Sequence, residues 1–345
     1  MKIVVDCRLI NKTQNTGISR YTEFLINYYI YKYGAKNVFL ITNDREFVYD
    51  GCFILYTNLK PYNILHFIKY SKFIDSLEID LLHVPFYSGL IKVNKKIIII
   101  VTVHDLMYKF VKGFFGNNFI LNKLKNIYFD FIVLRTLKNS NVIVSVSETT
   151  QKDVFNTFGL DSVHIPEDSE IKEPNNFSIL GTLNLSKKGF FFYCGNNRPH
   201  KNIDFIIDIF NNNENLPPLV LAGKGHISSK NVIATGIITD QELHCLYKSA
   251  IAFVFPSTYE GFGLPVLEAI RSETLVVASK IPAFLEFKTK NIFFFDLNNK
   301  NEFVYVLQKA LTNHFTIDES FLSYYSKNRI YELYDNMIDN LFKTN

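Results

Sequence analysis

Apolar runs without alternation recur along this chain, and helix-length segments of 3.6-residue periodicity lie between them. In the first half, Val38–Thr42, Leu81–Pro85, Ile97–His104 and Asn141–Ser147 read as strands, and Met1–Asp6 enters one at once. In the second half, Gly189–Cys194, Leu219–Gly223, Asn231–Ala234, Ile251–Phe255 and Leu275–Ala278 do so. A run such as Ile97-Ile98-Ile99-Ile100-Val101 leaves no polar face, so both faces of its sheet must be covered, as in parallel sheets. Ser19–Tyr33, Asn118–Leu137, Ile203–Phe210 and Asp240–Ser249 carry helical spacing, and Ser326–Lys343 reads as a terminal amphipathic helix. Strands alternating with helices predict a doubly wound α/β fold, and the pattern occurs twice. A polar stretch with Pro166 and Pro174 separates the two halves. The expected division is 1–165, a linker region at 166–187, 188–325 and a terminal helix at 326–345.

Length and composition agree with that picture. At 345 residues with 48% hydrophobic positions, two domains can each bury a core. No apolar run approaches the ~18 residues of a spanning helix. The amino terminus enters a strand at once, without a leader-like apolar region, so a cytoplasmic location is expected. Cys7, Cys52, Cys194 and Cys245 are scattered without metal-ligand spacing and read as reduced thiols.

Charge changes the picture more. Residues 1–165 hold 20 Lys and Arg against 13 Asp and Glu, and the remainder 17 against 20. A basic first half suits an acidic partner: a membrane surface, a lipid phosphate or a nucleotide. The stretch 108–138 mixes Lys109, Lys112, Lys123, Lys125 and Lys138 with Phe, Leu and Ile, which suits peripheral contact with an anionic membrane. A packed helix with a solvated basic face has the same composition. No helix-turn-helix, zinc or RNA-recognition signature is present, and nucleic acid is not an expected partner.

The most informative segment is Ser257-Thr258-Tyr259-Glu260-Gly261-Phe262-Gly263-Leu264-Pro265-Val266-Leu267-Glu268-Ala269, directly after an apolar strand. Pro265 suits the first turn of a helix. Glu260 then ends the strand, and Glu268 lies about one turn into the helix. The amides of Gly261, Gly263 and Leu264 lie at the helix start, where an anion or sugar oxygen binds. A second cluster, Gly195-Asn196-Asn197-Arg198-Pro199-His200-Lys201-Asn202, also follows a strand. Arg198 offers a planar fork and Lys201 a compact charge, a pair able to grip a diphosphate. Taken alone, such a loop is also what a solvated turn looks like. A third, Asn15-Thr16-Gly17-Ile18-Ser19-Arg20-Tyr21, opens a helix after the first strand, and its amides could meet a phosphate.

Three further strand ends carry polar groups. His104 and Asp105 end the Ile97–His104 run, where His104 would look into a cleft and Asp105 could instead cap a helix. His83 and Tyr87 could line the same cleft. Ser147 followed by Thr150 fits helix capping. A DxD pair, a GxGxxG fingerprint after the first strand, a P-loop and a GxSxG elbow are all missing from the sequence.

Together these residues resemble the glycosyltransferase family 4 enzymes of bacterial surface-polysaccharide type. The resemblance is closest over 237–286 and continues in islands: Val5-Asp6-Cys7-Arg8, Thr16–Tyr21, His104-Asp105-Leu106 and Val146-Ser147-Glu148. It implies the GT-B fold, two Rossmann-like domains facing across a cleft, with the terminal helix packing back on the first. It implies a retaining transferase that needs no metal or other cofactor and moves a hexose, with a lean to mannose or rhamnose, from a nucleotide-diphosphate sugar to a glycan or lipid-linked acceptor. Carried over by position, Arg198 and Lys201 neutralise the donor diphosphate, and the Gly17–Ile18 amides assist. Glu268 binds the ribose. Glu260 and the Gly261, Phe262, Gly263 and Leu264 amides hold the donor sugar, and His104 contacts one of its hydroxyls. Asp6, Arg8, His83, Tyr87 and Asp105 fall on the acceptor side. The chain departs from the pattern at Glu273 and Leu275, where a glycine and a proline are common, and at Ser19, where a second glycine is common. Two other classes remain open: a silent glycan-binding or scaffold member, and a sugar-nucleotide epimerase.

Overall fold

The computed structural model describes the chain except residues 11–15, 63, 88–89, 91–92, 94–95, 117, 170, 172 and 345. It divides into two compact units, Met1–Asp168 with Tyr325–Asn345, and Ser169–Tyr324.

The first unit is built on β1 (Ile3–Asp6), β2 (Val38–Thr42), β3 (Phe53–Tyr56), β4 (Leu81–Val84), β5 (Ile98–Val103), β6 (Val142–Ser145) and β7 (Val163–His164). Their order is β3-β2-β1-β4-β5-β6-β7, and every pairing is parallel. The central strands β1, β4 and β5 are buried along their whole length, as unbroken apolar runs require. Chain order reverses between β1 and β4, the point at which α/β sheets bind ligands beyond their carboxyl ends.

One face of this sheet is covered by helix Gly17–Tyr33 and the terminal helix Lys327–Thr344. Tyr21, Phe24, Leu25 and Tyr28 meet Ile330, Tyr331, Tyr334 and Ile338 in one core cluster. The Tyr28 hydroxyl donates to Asp335 at 2.8 Å, and Lys32 pairs with Asp335 at 2.6 Å and Asp339 at 3.1 Å. The terminal helix therefore belongs to the first unit although the chain between is spent on the second. The other face is closed by Tyr70, Ile74, Leu106, Tyr108, Val133 and Val154.

The second unit holds β8 (Phe191–Cys194), β9 (Leu219–Ala222), β10 (Val232–Gly236), β11 (Ala252–Phe255), β12 (Leu275–Ser279) and β13 (Ile292–Phe295). The order is β10-β9-β8-β11-β12-β13, again all parallel. Here order reverses between β8 and β11. Those are the two strands that deliver the Arg198–Lys201 and Glu260–Glu268 segments.

Candidate functional site

In the second unit the two segments singled out from sequence are hydrogen-bonded to each other. The Thr258 N–H and Oγ1 both donate to the His200 carbonyl, at 2.8 and 3.2 Å. Lys201 Nζ donates to Glu260 Oε1 at 2.6 Å and lies 4.8 Å from the centre of the Phe255 ring. Both side chains are largely but not fully buried. Arg198 is exposed, and no ion pair or hydrogen bond of its side chain occurs among the described residues. These loops thus carry one guanidinium open to solvent and an ammonium–carboxylate pair.

Local backbone geometry explains why these residues sit where they do. Pro199–Lys201 is one 3-10 turn, and Asn202 takes a left-handed conformation (φ 53°) before helix Ile203–Asn212 begins. His200 is buried beneath the turn. Burial lowers its pKa to about 4 against the opposing pull of Glu260, with the charges of Lys201 and Arg198 adding to the fall, so its ring is neutral at neutral pH. Gly223 lies so close to the β8 loop that an added Cβ would stand 2.0 Å from the Gly195 carbonyl oxygen, so only glycine fits.

Helix Leu264–Arg271 starts at Gly263, with Pro265 in its first turn and no side-chain cap. Its amino end is therefore satisfied by no capping side chain, which suits an anionic or hydroxylic ligand. Gly263 has φ 128°, and a Cβ there would stand 3.0 Å from both Phe284 and Phe287. Glu268 is buried in this helix, where its Oε2 accepts the Tyr247 hydroxyl at 3.0 Å. Sequence reading supplied Glu268 but gave no sign of Tyr247 as the group that fixes it. Among the described residues, no three His, Cys, Asp or Glu side chains gather in a way that could hold a metal.

The first unit brings together a different set. Helix Gly17–Tyr33 is capped by Thr16, whose Oγ1 accepts the Ser19 N–H at 3.2 Å, and Gly17 is exposed. Asn15, the first residue of that cluster, lies outside the described residues. His104 follows β5. Its Nδ1 lies 2.5 Å from Glu167 Oε1 and its Nε2 lies 2.9 Å from the Pro85 carbonyl oxygen. A carbonyl and a carboxylate both accept, so both ring nitrogens donate. Burial pulls the His104 pKa down. The charge and hydrogen bond of Glu167, with the charge of Asp105 and the Pro85 carbonyl, together more than offset this, and the net shift is upward. Glu167, almost fully buried, had no signal in the sequence: it follows Ile165-Pro166 at the edge of a segment read as linker.

Three acceptor-side expectations change. His83 is 0% exposed. Its Nδ1 meets the Tyr29 hydroxyl at 2.8 Å and its Nε2 the Thr102 hydroxyl at 2.9 Å, and burial with the nearby His104 lowers its pKa to about 3. It is a satisfied core histidine, not a cleft-lining one. Asp6 and Arg8 are likewise interior. Arg8 Nη2 and Nε donate to the Asp6 carboxylate at 2.5 and 2.8 Å, the Tyr70 hydroxyl adds a bond of 2.7 Å, and the Tyr70 ring centre lies 3.8 Å from the guanidinium. They form a structural ion pair under the end of β1. Asp105, half-buried, accepts the Met107 N–H at 2.8 Å in the turn before helix Met107–Phe110. Tyr87 is half-buried, its ring centre 6.2 Å from Tyr108 and 6.5 Å from Tyr62. Ser147 caps helix Glu148–Phe158 through the Thr150 N–H.

Comparisons with known proteins bear on both units. A family model described as Glycosyl transferases group 1 matches residues 181–329, and one described as Glycosyltransferase Family 4 matches residues 39–166. The chain is similar to the O-antigen chain mannosyltransferase RfbU of Salmonella typhimurium, 28% identical over 228 residues, 62% of this chain and 60% of that protein. It is similar also to the O-antigen biosynthesis glycosyltransferase WclY of Escherichia coli, 24% identical over 269 residues, 71% of this chain and 72% of that one. The match thus spans about 60% of the length of the Salmonella relative. Among solved structures, sucrose-phosphate synthase of Thermosynechococcus elongatus superposes with a TM-score of 0.78 at 15% identity, covering 100% of both chains. HepE of Anabaena, solved with UDP and glucose, gives 0.73 at 13%, covering 98% of this chain and 99% of that one. These likenesses show the fold.

Proposed function

We propose that this chain, whose two halves belong to the glycosyltransferase family 4 and glycosyl transferases group 1 families, moves a hexose from a nucleotide-diphosphate sugar to a hydroxyl of a glycan or lipid-linked acceptor in bacterial surface-polysaccharide assembly. The observation that carries this reading is the joining of two loops at the β8/β11 reversal. Exposed Arg198, paired Lys201 and Glu260, and the uncapped helix start at Gly263 stand at the carboxyl ends of adjacent strands.

In this reading Arg198 and Lys201 hold the donor diphosphate and stabilise the charge that develops on it as the sugar departs. Glu260, held by Lys201, orients sugar hydroxyls together with the helix-start amides. Glu268, fixed by Tyr247, accepts from the ribose. We take the reaction to retain anomeric configuration without a metal. The bond from the anomeric carbon to the phosphate oxygen breaks, a bond to the acceptor oxygen forms on the same face, and the acceptor's proton passes to the leaving phosphate. That route asks for no protein base. The similarity to O-antigen mannosyltransferases supports mannose as the sugar to try first.

In the first unit both ring nitrogens of His104 are engaged, by Glu167 and by the Pro85 carbonyl, and Glu167 is its positioning residue.

The test is slow donor breakdown, followed as nucleoside diphosphate released from GDP-mannose, UDP-glucose and dTDP-rhamnose, with and without EDTA. One donor should be consumed in both conditions, with the released sugar first seen by NMR in the donor's own anomeric form. Inverted sugar, or turnover only without EDTA, would overturn the mechanism.

A further inference from the structure

Helix Phe119–Lys138 of the first unit has two apolar faces. One, with Ile132, Val133, Thr136 and Leu137, is buried in the unit. The other faces solvent. Ile120, Leu124, Ile127 and Phe131 recur at i, i+4, i+7 and i+11, a single stripe down the helix ~16 Å long. They are 69%, 59%, 58% and 51% exposed. Exposed Phe114 and Phe119 continue the apolar surface at the amino end. Water alone gives such a stripe no reason to persist, and contiguous exposed apolar surface marks a docking site.

The charges around the stripe say what docks. Lys123, Arg135 and Lys138 lie beside or at the end of the stripe and are exposed, and Lys112 is exposed in the preceding turn. The Arg135 guanidinium lies 5.5 Å from the Phe131 ring centre, against the stripe itself. The one acid of the helix, Asp130, is already paired: it accepts the Tyr108 hydroxyl at 3.0 Å and pairs with Lys109 at 2.7 Å. Among the described residues of this helix, the stripe is therefore flanked by unpaired positive charge, and its one carboxylate is already neutralised by Lys109. A second copy of the chain docked here would set like charges against each other, with the helix's one carboxylate already paired to Lys109, which disfavours self-association. No helix among the described residues is long and apolar enough to cross a membrane.

We infer that this face lies on an anionic lipid surface, with Ile120, Leu124, Ile127 and Phe131 at the level of the headgroups and acyl boundary, and Lys123 and Arg135 against lipid phosphates. This goes beyond the donor chemistry and does not depend on it.

Co-sedimentation tests it, using vesicles of phosphatidylglycerol with phosphatidylcholine against phosphatidylcholine alone, at low and raised salt. The wild type should pellet with the anionic vesicles, less so at raised salt. Leu124→Ser/Ile127→Ser/Phe131→Ser should weaken binding at least about tenfold. Lys123→Ser/Arg135→Ser should weaken it about fivefold for each residue, on anionic vesicles alone. All these side chains are exposed, so melting temperatures of both variants should match the wild type. Wild-type protein left in the supernatant, or variants that pellet unchanged, would overturn the inference. So would a dimer in light scattering that the triple serine variant dissolves, which would make the stripe a self-interface.

Discussion

Replacing Glu167 by Gln isolates the charge on His104. In the wild type the two groups are 2.5 Å apart, with side chains 12% and 4% exposed. Removing one partner of a buried pair costs about 3–5 kcal/mol. The residual exposure of His104 argues for the lower end, about 3 kcal/mol below the pH at which the ring loses its proton. The sign follows from the folded-state pKa being raised above 6.5. The stabilisation is fully present below pH 6.5 and is lost as pH rises through the folded-state pKa. Above that point both chains hold a neutral ring, and the cost of Glu167→Gln falls to that of one hydrogen bond, about 1 kcal/mol. The assay is urea unfolding of wild type and variant at about pH 6 and about pH 9. NMR titration of the imidazole, assigned with His104→Asn, accompanies it. In the variant, burial is opposed only by Asp105 and the Pro85 carbonyl, and the His104 pKa should fall relative to wild type. A wild-type His104 that titrates at or below 6.5, or an equal cost of the variant at both pH values, would refute the charged-pair account.

Three other substitutions test separate parts of the framework. Gly263→Ala must hold φ 128° and seat its methyl against Phe284 and Phe287, and should destabilise the second unit by about 2–3 kcal/mol, read as a lower melting temperature. Asp6→Asn leaves Arg8 buried without its carboxylate and should cost about 3–5 kcal/mol in urea unfolding. Glu268→Gln still accepts the Tyr247 hydroxyl, so stability should change by less than about 1 kcal/mol. Donor KM should rise about tenfold with kcat little altered, and unchanged KM would remove Glu268 from the site.

The strands that form the sheet centres were legible because an unbroken apolar run has one explanation in a parallel sheet. Val38–Thr42 and Asp240–Ser249 match element ends as read from sequence. The edges were not legible. Phe53–Tyr56 is exposed or half-buried along its length, so no burial constraint wrote a pattern into it, and Ile292–Phe295 is an aromatic run between polar flanks. At the site, Glu260, Lys201, Arg198 and the Gly263 turn stood out because they are contiguous with strand ends. Glu167 and Tyr247 did not, because their partners are 63 and 21 residues away, and nothing local marks a group that acts by holding another. The same limit misassigned His83, Asp6 and Arg8. A polar residue at a strand end looks alike in sequence whether it faces solvent or is paired in the interior, and here Tyr29, Thr102 and Tyr70 complete the interior pairing.

The central claim is that the β8/β11 loops bind a nucleoside diphosphate through Arg198 and Lys201. The most direct measurement is the melting temperature with UDP, GDP, dTDP, ADP and CMP, with and without EDTA, for wild type and the Arg198→Ala/Lys201→Ala variant. A ligand at a hundred times its Kd stabilises the folded state by about 2.7 kcal/mol, an easily read shift. One diphosphate should raise the wild-type melting temperature, in EDTA as well, and fail on the variant. No shift with any nucleotide, a shift that EDTA abolishes, or an equal shift in the variant would contradict the account.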